Sequence, residues 1–505
     1  MAREKYTYKG RKIILVMVDS QRWDMLGCYG NEGMKTPAID RLAAEGLRYE
    51  RAYDCQPVCG PARSAIFTGT YPHSNGSWTN SVALSANWKH VGQRMSDHRF
   101  HTAYIGKWHL DGGDYFGLGV CPEGWDPDYW YDMKCYLDEL PDDETRVKSR
   151  IPSTSFDEGF SSEDTYAHRC TDRAIDFVKK HKAEDYFLVV SYDEPHGPFL
   201  CPEPYASMYK DYEFPKAPNV WDRLENKPDY QKAWAGGGVD SDKDALVIRN
   251  QLFFGCNSYV DSQIGRFLEA VDECAEDALI IYTSDHGDAL SSHSLHGKGP
   301  AMYDEIARVP FIVRSPNIEA GVTSPHPVSH IDIVPTIMDY AGLPLPKLLE
   351  GRSLVPSFAE PNVRINDYVF TEFNRYEIDH DGFGGFQPMR SCYDGRYKLS
   401  IHLLSGDELY DMETDPYEMT NLIDSPDHSE IRNHLHDVVL NWMNETRDPF
   451  RGYYWERRPW RTDARPATWD YTLMTRQREN EEYEPRQLDY GTGLPMGDAH
   501  RLKGN

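Results

Sequence analysis

Three segments of the chain share one pattern, a run of apolar and β-branched residues that ends in acids or histidines. They are KIILVMVDS from Lys12, DYFLVVSYDEPH from Asp185 and DALIIYTSDHGD from Asp277. Each run predicts a strand buried on both faces of a parallel sheet, with functional groups at its carboxyl end. Amphipathic segments between them, TPAIDRLAAEGLRY from Thr36 and AHRCTDRAIDFVKKHKA from Ala167, predict helices. The alternation predicts an α/β sandwich with a large, mainly parallel sheet flanked by helices.

The pattern changes after about residue 355, where shorter β-rich segments begin. YVFTEFN, MRSCYDGRYKLSIHLL and DELYDMET are followed by an amphipathic helical pattern around residues 429–444. A larger domain is therefore predicted over residues 1–355, and a smaller α+β subdomain with an antiparallel sheet over residues 356–447. Residues 448–505 are dense in Arg, Trp, Tyr and Pro, which predicts an extension packed on the body. Such a tail also suits a subunit contact, so a homo-oligomer is a further expectation.

Charge and hydropathy exclude several classes of protein. Lys and Arg number 54 against 81 Asp and Glu, and a formal charge of −27 argues against a general nucleic-acid binder. The first apolar run, Ile13 to Val18, is shorter than the roughly 7 to 15 residues of a secretory signal core. No later run approaches the ~20 residues of a membrane span. We therefore expect no membrane partner, a cytoplasmic location and ten reduced cysteines.

Cys59 begins the most informative stretch, CGPAR followed by SAIF and TG. This C-x-P-x-R-x-x-x-x-T-G segment resembles the one in which a maturation enzyme of the sulfatase family oxidises cysteine to formylglycine (3-oxoalanine). Cys55 lacks an arginine four residues later and is not the candidate. The resemblance implies that Cys59 is converted and that Arg63 holds the product in place. A hydrated aldehyde offers one hydroxyl to attack sulfur and another whose deprotonation later expels sulfate, an exit that a thiol lacks.

Two strand ends resemble the metal segments of the sulfatase family. The family's first segment usually has two adjacent aspartates, whereas this chain has Asp19 followed by Ser20. Either Ser20 or, preferably, the longer amide of Gln21 is expected to fill the second place. Asp285 and His286, in YTSDHG, resemble the second metal pair. The resemblance implies one divalent metal, with Ca²⁺ or Mg²⁺ fitting oxygen-rich ligation and Mn²⁺ left open by the histidine.

Three further segments resemble the family's sulfate-binding motifs. They are GKWH with Lys107 and His109, EPHGPF with His196, and HSLHGKGPAMYDEIARVPFIVR with Lys298. The resemblance implies that Lys107 binds sulfate and that His109 touches the nucleophile. It makes His196 a sulfate binder or general acid, and places Lys298 against the sulfate and the leaving group. Charge-assisted contacts of this kind stabilise the charge that develops on the departing oxygen.

Other candidate binding residues have weaker sequence signals. Asn80, in GSWTNSVAL, stands 21 positions after Cys59, and a similarly spaced asparagine occurs in the phosphonate monoester hydrolase branch. A turn-capping asparagine is the alternative. Asn374 and Arg375 precede the Gly-rich DGFGGF and are expected at the pocket mouth. Arg375 suits a carboxylate or a second sulfate, with a surface salt bridge as the alternative.

The resemblance extends from Asp19 to the segment Glu408–Leu422, and it is strongest to bacterial sulfatases that lack an export signal. It implies the alkaline-phosphatase-like fold and a sulfatase acting on a small sulfate monoester, either a sulfated sugar or an aryl or steroid sulfate. One alternative is a phosphonate monoester or phosphodiester hydrolase that uses the same formylglycine. The other, suggested by Ser20, is an inactive sulfatase-like binding protein.

Overall fold

The computed structural model describes residues 11–377, 385–464 and 488–494. The strands are β1 (Lys12–Val18), β2 (Leu47–Tyr53), β3 (His101–Gly106), β4 (Tyr186–Ser191), β5 (Leu279–Ser284), β6 (Arg308–Arg314), β7 (Val322–Ser329), β8 (Val369–Arg375), β9 (Phe386–Tyr393), β10 (Tyr397–His402) and β11 (Glu408–Asp411). The helices are α1 (Pro37–Ala44), α2 (Cys59–Thr68), α3 (Pro72–Asn75), α4 (Val91–Asp97), α5 (Met133–Glu139), α6 (Asp143–Lys148), α7 (Tyr166–Lys180), α8 (Tyr205–Met208), α9 (Asp229–Ala235), α10 (Gln251–Cys274), α11 (Asp304–Ala307), α12 (Ile333–Tyr340), α13 (Val355–Ala359), α14 (Ser429–Glu445) and α15 (Tyr453–Glu456). In this part of the chain, no helix has both the length and the apolar composition that crossing a membrane requires.

The large sheet has the strand order β3-β4-β1-β5-β6-β2-β7. β1 pairs in parallel with β4 on one side and β5 on the other, and β3 extends the parallel set beyond β4. β6 runs antiparallel to its neighbours β5 and β2, whereas β7 is parallel to β2. The predicted mainly parallel sheet is therefore confirmed.

Both faces of the central strand β1 are covered by helices. Val16 packs in one hydrophobic core with Phe177 of α7 and Phe267 of α10. Leu15, on the opposite face, packs in a second core with Ile337 of α12. Because alternate residues of a strand point to opposite faces, burial on both sides requires the continuous apolar run seen in the sequence. The predicted α/β sandwich is confirmed by this layering.

A smaller, antiparallel sheet has the order β11-β10-β9-β8. Its strands coincide with the β-rich segments predicted after residue 355, and the predicted amphipathic helix is α14. Leu435 and Val439 of α14 pack against Leu399 and Ile401 of β10. The predicted smaller sheet and its covering helix are therefore present, although the exact domain borders stay a prediction.

The segment after α14 packs against this smaller sheet as far as the structure describes it. The Trp455 side chain is only 1% exposed. Arg458 forms an ion pair with Asp407, with Nε 2.7 Å from Oδ2, and donates a hydrogen bond to the carbonyl of His402. Most of the predicted extension, residues 465–487 and 495–505, lies outside the described residues.

His436 of α14 links this segment to the pH dependence of stability. Its Nε2 is 2.7 Å from the Trp455 carbonyl oxygen, and Nδ1 faces the Arg461 guanidinium. Burial lowers the pKa of His436 from 6.5 to about 4. Because the folded pKa lies below the unfolded one, protonation favours the unfolded chain. The stabilisation is complete above about pH 6.5 and is lost as the pH falls through 6.5 towards 4.

We expect the parent to lose up to about 3 kcal/mol more unfolding free energy than His436→Gln between pH 7 and pH 4. Urea unfolding of both proteins across this range measures the difference. Equal pH dependence in the two proteins would contradict the assignment.

Candidate active site

The carboxyl ends of β3, β4, β1 and β5 lie side by side at one edge of the large sheet, since these strands are parallel neighbours. Charged side chains follow each end: Lys107 after β3, Asp193 after β4, Asp19 after β1 and Asp285 after β5. All four side chains are buried. Burying charges is costly unless they are paired, so their mutual contacts determine how this edge is built.

Cys59 is the first residue of α2, and its Sγ lies among polar groups. Lys298 Nζ is 2.7 Å away, His286 Nε2 is 3.2 Å away and Asp19 Oδ1 is 3.7 Å away. Burial and Asp19 act to raise the pKa of the Cys59 thiol, but Lys298 and the neighbouring cations outweigh them and lower it well below its usual range. The pKa of buried Cys55, in contrast, is raised by burial. The surroundings therefore distinguish Cys59 as the reactive position.

Arg63 holds the strand ends together from the same helix. Residues four apart share one helix face, so Arg63 points in the same direction as Cys59. Its Nη2 is 3.1 Å from Asp19 Oδ2, and its Nε is 3.1 Å from Asp285 Oδ2. Nη1 donates a 2.7 Å hydrogen bond to the carbonyl of Lys107. The C-x-x-x-R spacing thus places one cation against both carboxylates.

Four of these side chains fit a divalent cation. One ligand atom each of Asp19, Asp285, His286 and Cys59 lies within 4.8 Å of the others. His286 Nδ1 is 2.8 Å from the carbonyl oxygen of Gly287, which only accepts, so Nδ1 donates this hydrogen bond and Nε2 is the nitrogen directed at the carboxylates. That nitrogen is 3.6 Å from Asp285 Oδ1 and 3.8 Å from Asp19 Oδ1. Two carboxylates and an oriented imidazole suit Ca²⁺, Mg²⁺ or Mn²⁺.

The two carboxylates differ in acidity. Burial acts to raise the pKa of Asp19, but Lys107, Lys298 and other cations outweigh it and hold that pKa well below its usual range. Burial and the charge of Asp19 raise the pKa of Asp285 to about 6. A cation bound between them would favour the ionised form of both, so its binding is expected to release protons near neutral pH.

Ser20 and Gln21, the two candidates for the place of the family's second aspartate, have different surroundings. Ser20 Oγ donates a 2.7 Å hydrogen bond to Asp19 Oδ1, so this hydroxyl lies at the metal-binding group. Gln21 uses its amide elsewhere, since Nε2 donates to Asn257 Oδ1 at 3.0 Å and Oε1 accepts from the Tyr282 hydroxyl. The preference for Gln21 as a metal ligand therefore does not fit the geometry, which brings Ser20 to this place instead.

Lys107, which follows β3 at two strands' distance from β1, also contacts this group. Its Nζ is 2.8 Å from Asp19 Oδ2 and 3.1 Å from Asp193 Oδ1. Burial acts to lower the pKa of Lys107, but Asp19, Tyr115 and Asp193 raise it well above its usual range. A permanent positive charge therefore lies beside the cluster.

Two histidines lie near Tyr115. His196 stacks on the Tyr115 ring with centroids 5.0 Å apart, and its Nδ1 is 2.9 Å from the carbonyl oxygen of Gly197. Burial lowers the pKa of His109, although a hydrogen bond with Cys59 acts in the opposite direction. His109 is therefore neutral at neutral pH. The structure thus brings both predicted histidines to the group.

Among the three weaker candidates, Asn80 contacts the first turn of α2, which begins at Cys59. Its Oδ1 accepts a 2.8 Å hydrogen bond from the backbone N–H of Gly60, where an added Cβ would meet that oxygen at 3.0 Å. Asn374 is instead buried in the smaller sheet, where its Oδ1 accepts from Arg390 at 3.0 Å. Gln56 Nε2 faces the backbone carbonyl of Arg375 at 3.5 Å.

Sequence reasoning did not single out three residues of this site. Asp193 lies in the acid-ending run after β4, so its position was signalled but its pairing with Lys107 was not. Tyr115 lies in a loop without periodicity, and its hydroxyl donates to Asp193. Tyr376 directly follows the predicted Asn374 and Arg375. Its backbone carbonyl accepts a 2.9 Å hydrogen bond from the N–H of Asn80, and burial raises the pKa of its hydroxyl while the charge of Lys298 opposes that effect.

Comparison with known proteins gives a consistent assignment. The family model described as Sulfatase matches residues 11–343, and the model described as N-sulphoglucosamine sulphohydrolase, C-terminal, matches residues 292–445. The uncharacterized sulfatase YidJ of Escherichia coli strain K12 is 44% identical over 497 residues, which cover 96% of this chain and 97% of that protein.

Two solved structures show the same fold. One, a complex with its substrate D-glucosamine-2-N,6-O-disulfate, has a TM-score of 0.70 and 21% identity, covering 88% of this chain and 99% of its own. The other, the phosphonate monoester hydrolase of Agrobacterium radiobacter, has a TM-score of 0.70 and 23% identity, covering 86% and 96%. Residues 11–343, which match the Sulfatase family model, include the strand ends that build the site. The chain therefore belongs to the sulfatase family of sulfuric ester hydrolases, with the alkaline-phosphatase-like fold.

Proposed function

We propose that this enzyme hydrolyses the sulfate monoester of a small molecule, a sulfated sugar or an aryl or steroid sulfate, using formylglycine made from Cys59 and one divalent metal. The observation that carries this proposal is the placement of the Cys59 side chain among Lys298, His286 and Asp19. A hydrated aldehyde here would supply one hydroxyl to attack sulfur and a second to release sulfate.

Asp19, Asp285 and His286 would hold the metal, with Ser20 as the neighbouring hydroxyl. When bound, a divalent cation supplies positive charge that makes a nearby hydroxyl more acidic and a sulfate oxygen more polarised. Ca²⁺ is our first choice because the group is rich in carboxylate oxygen. Arg63 keeps both carboxylates in place through its two ion pairs.

Lys107 and Lys298 would bind the sulfate oxygens from two directions, since Lys107 lies beside Asp19 and Lys298 lies beside Cys59. Fixed cations of this kind stabilise the charge that develops in the transition state. His196, on the Tyr115 side, would donate a proton to the departing alcohol oxygen, and neutral His109 would orient the nucleophile by a hydrogen bond.

The proposal retains the other sequence predictions. A formylglycine maturation enzyme is the expected partner, and the cytoplasm is the expected location. Residues 1–355 would form the catalytic domain, residues 356–447 the α+β subdomain and residues 448–505 the C-terminal extension.

A phosphonate monoester or phosphodiester hydrolase is the second candidate. Asn80 favours it, because its Oδ1 accepts a hydrogen bond from the N–H of Gly60 beside Cys59, and an asparagine at this spacing occurs in that branch. Phosphonate esters carry charge and geometry close to those of sulfate esters, so one site is able to process both at different rates.

A kinetic comparison tests this choice. Metal-loaded, matured enzyme is expected to show a kcat/KM for an aryl sulfate at least about tenfold above that for the matching phenyl phosphonate ester. Release of phenol from both substrates under the same conditions measures the ratio. A dominant phosphonate activity would replace sulfatase by the second candidate, and no turnover of either ester would favour an inactive binding protein.

A further inference from the structure

Arg150 lies near the active site, beside two aromatic rings. Its Cζ is 5.2 Å from the ring centre of Tyr115 and 5.2 Å from that of Phe116. Within residues 11–377, 385–464 and 488–494, no carboxylate or carbonyl accepts a hydrogen bond from its guanidinium or forms an ion pair with it. In a chain with 81 acidic against 54 basic residues, an arginine held without an acid is available for an external anion.

Arg150 also lines a cavity that reaches the active-site strand end. Asp193, Glu194 and His196 line the same cavity. Glu194 is buried, and its Oε1 accepts a hydrogen bond from the N–H of Ala167 at 3.2 Å. Its Oε2 has no hydrogen-bond partner among the described residues. A buried polar atom without a partner inside a lined cavity indicates a ligand position.

The protonation of Glu194 is compatible with an anion. Burial and the charge of Asp193 raise the pKa of Glu194 to about 8. At neutral pH its carboxyl is therefore mostly protonated, so it donates a hydrogen bond and does not repel an approaching oxyanion.

The Tyr115 ring contacts residues that line this cavity and also contacts Lys107, the residue proposed to bind sulfate. Lys107 Nζ lies 4.1 Å from the centre of the same ring that Arg150 contacts, and His196 stacks on that ring. The two cations are thus no farther apart than the sum of their distances to one ring centre. This separation is within the length of a small molecule that carries a sulfate and a second anionic group.

We propose that Arg150, with Glu194, binds a second oxyanion of the substrate, so that the preferred substrates are small sulfate esters carrying a carboxylate or a further sulfate. The identity of the substrate class rests on the proposed sulfatase function, whereas the anion site itself rests on the cavity. The guanidinium lies against two aromatic rings, and its planar array of N–H donors suits carboxylate or sulfate oxygens.

The test uses flexible probes that do not depend on the position of the second anion. Alkanesulfonates represent the sulfate group alone, whereas ω-sulfoalkanoates and α,ω-alkanedisulfonates of the same chain lengths add a carboxylate or a second sulfonate. Ligand-observed NMR titration of the metal-loaded, matured enzyme gives Kd for each probe. Arg150→Gln removes both the planar array of guanidinium N–H donors and the positive charge, and Arg150→Lys keeps the positive charge alone. Arg99→Gln is the matched control, since Arg99 is exposed and lies before β3, at the opposite edge of the sheet.

In the parent and in Arg99→Gln, a second anion is expected to lower Kd by about 10- to 100-fold at one or more chain lengths. Arg150→Gln is expected to lose this advantage, and Arg150→Lys to keep part of it. A preference for carboxylate or for sulfonate identifies which oxyanion the site accepts. Dianions that bind no better than monoanions in the parent, or an advantage that survives in Arg150→Gln, would overturn the proposal. Because Kd needs no turnover, failure of the sulfatase function appears separately, as absence of sulfate release from an aryl sulfate.

Discussion

Replacing Cys59 by alanine is expected to reduce sulfate release by about 10⁴-fold or more, because it removes the side chain from which the nucleophile is made. The change deletes one small buried side chain from the start of α2 and leaves Arg63, Asp19 and Asp285 in place. Metal affinity is therefore expected to fall far less than activity. Initial rates with an aryl sulfate, together with metal titration of the same protein, measure both effects.

Cys55→Ala is the matched control for this prediction. Cys55 is also buried and lies four residues earlier, but its thiol faces the Ser329 hydroxyl and not the active site. This variant is expected to retain sulfate release at a rate near that of the parent. Activity of Cys59→Ala within tenfold of the parent would show that another group performs the attack.

Replacing Arg63 by alanine is expected to lower the unfolding free energy by about 3 to 5 kcal/mol, because it leaves two buried carboxylates without their shared cation. Asp19 and Asp285 each lie 3.1 Å from this guanidinium, and all three side chains are fully buried. Urea unfolding in the presence of a chelator measures the loss. Added Ca²⁺ is expected to restore part of it, since a bound cation supplies positive charge to the same carboxylates.

Arg63→Lys separates charge from geometry at this position. The ammonium keeps the positive charge but cannot contact Asp19, Asp285 and the Lys107 carbonyl at once, so we expect a smaller loss of stability than in Arg63→Ala. Equal stability of Arg63→Ala and the parent under chelation would contradict the role of Arg63 as the shared counter-ion.

The strand ends were predictable from the sequence because local pattern and topology agree there. An apolar run buried on both faces, as in β1 and β5, requires a parallel sheet covered by helices. Parallel neighbours end at the same edge, so Asp19 and Asp285 had to lie close together once both strands were assigned. The spacing of Cys59 and Arg63 likewise follows from one helix face.

Residues positioned by distant contacts were not predictable in this way. Gln21 seemed suited to the metal by the length of its side chain. However, its amide is taken by Asn257 of α10 and Tyr282 of β5, more than 200 residues away. Tyr115 and Arg150 lie outside the helices and strands, where no periodic pattern indicates which way a side chain points. Their roles become visible only when the fold brings them to the end of β4.

The most direct test of the central claim is mass analysis of the peptide containing Cys59, taken from protein made in its native host, with an aryl-sulfate assay on the same preparation. The account predicts a peptide lighter by the difference between a CH₂SH and a CHO side chain, and sulfate release in proportion to the converted fraction. An unmodified cysteine in protein that nonetheless releases sulfate at full rate would contradict the formylglycine mechanism.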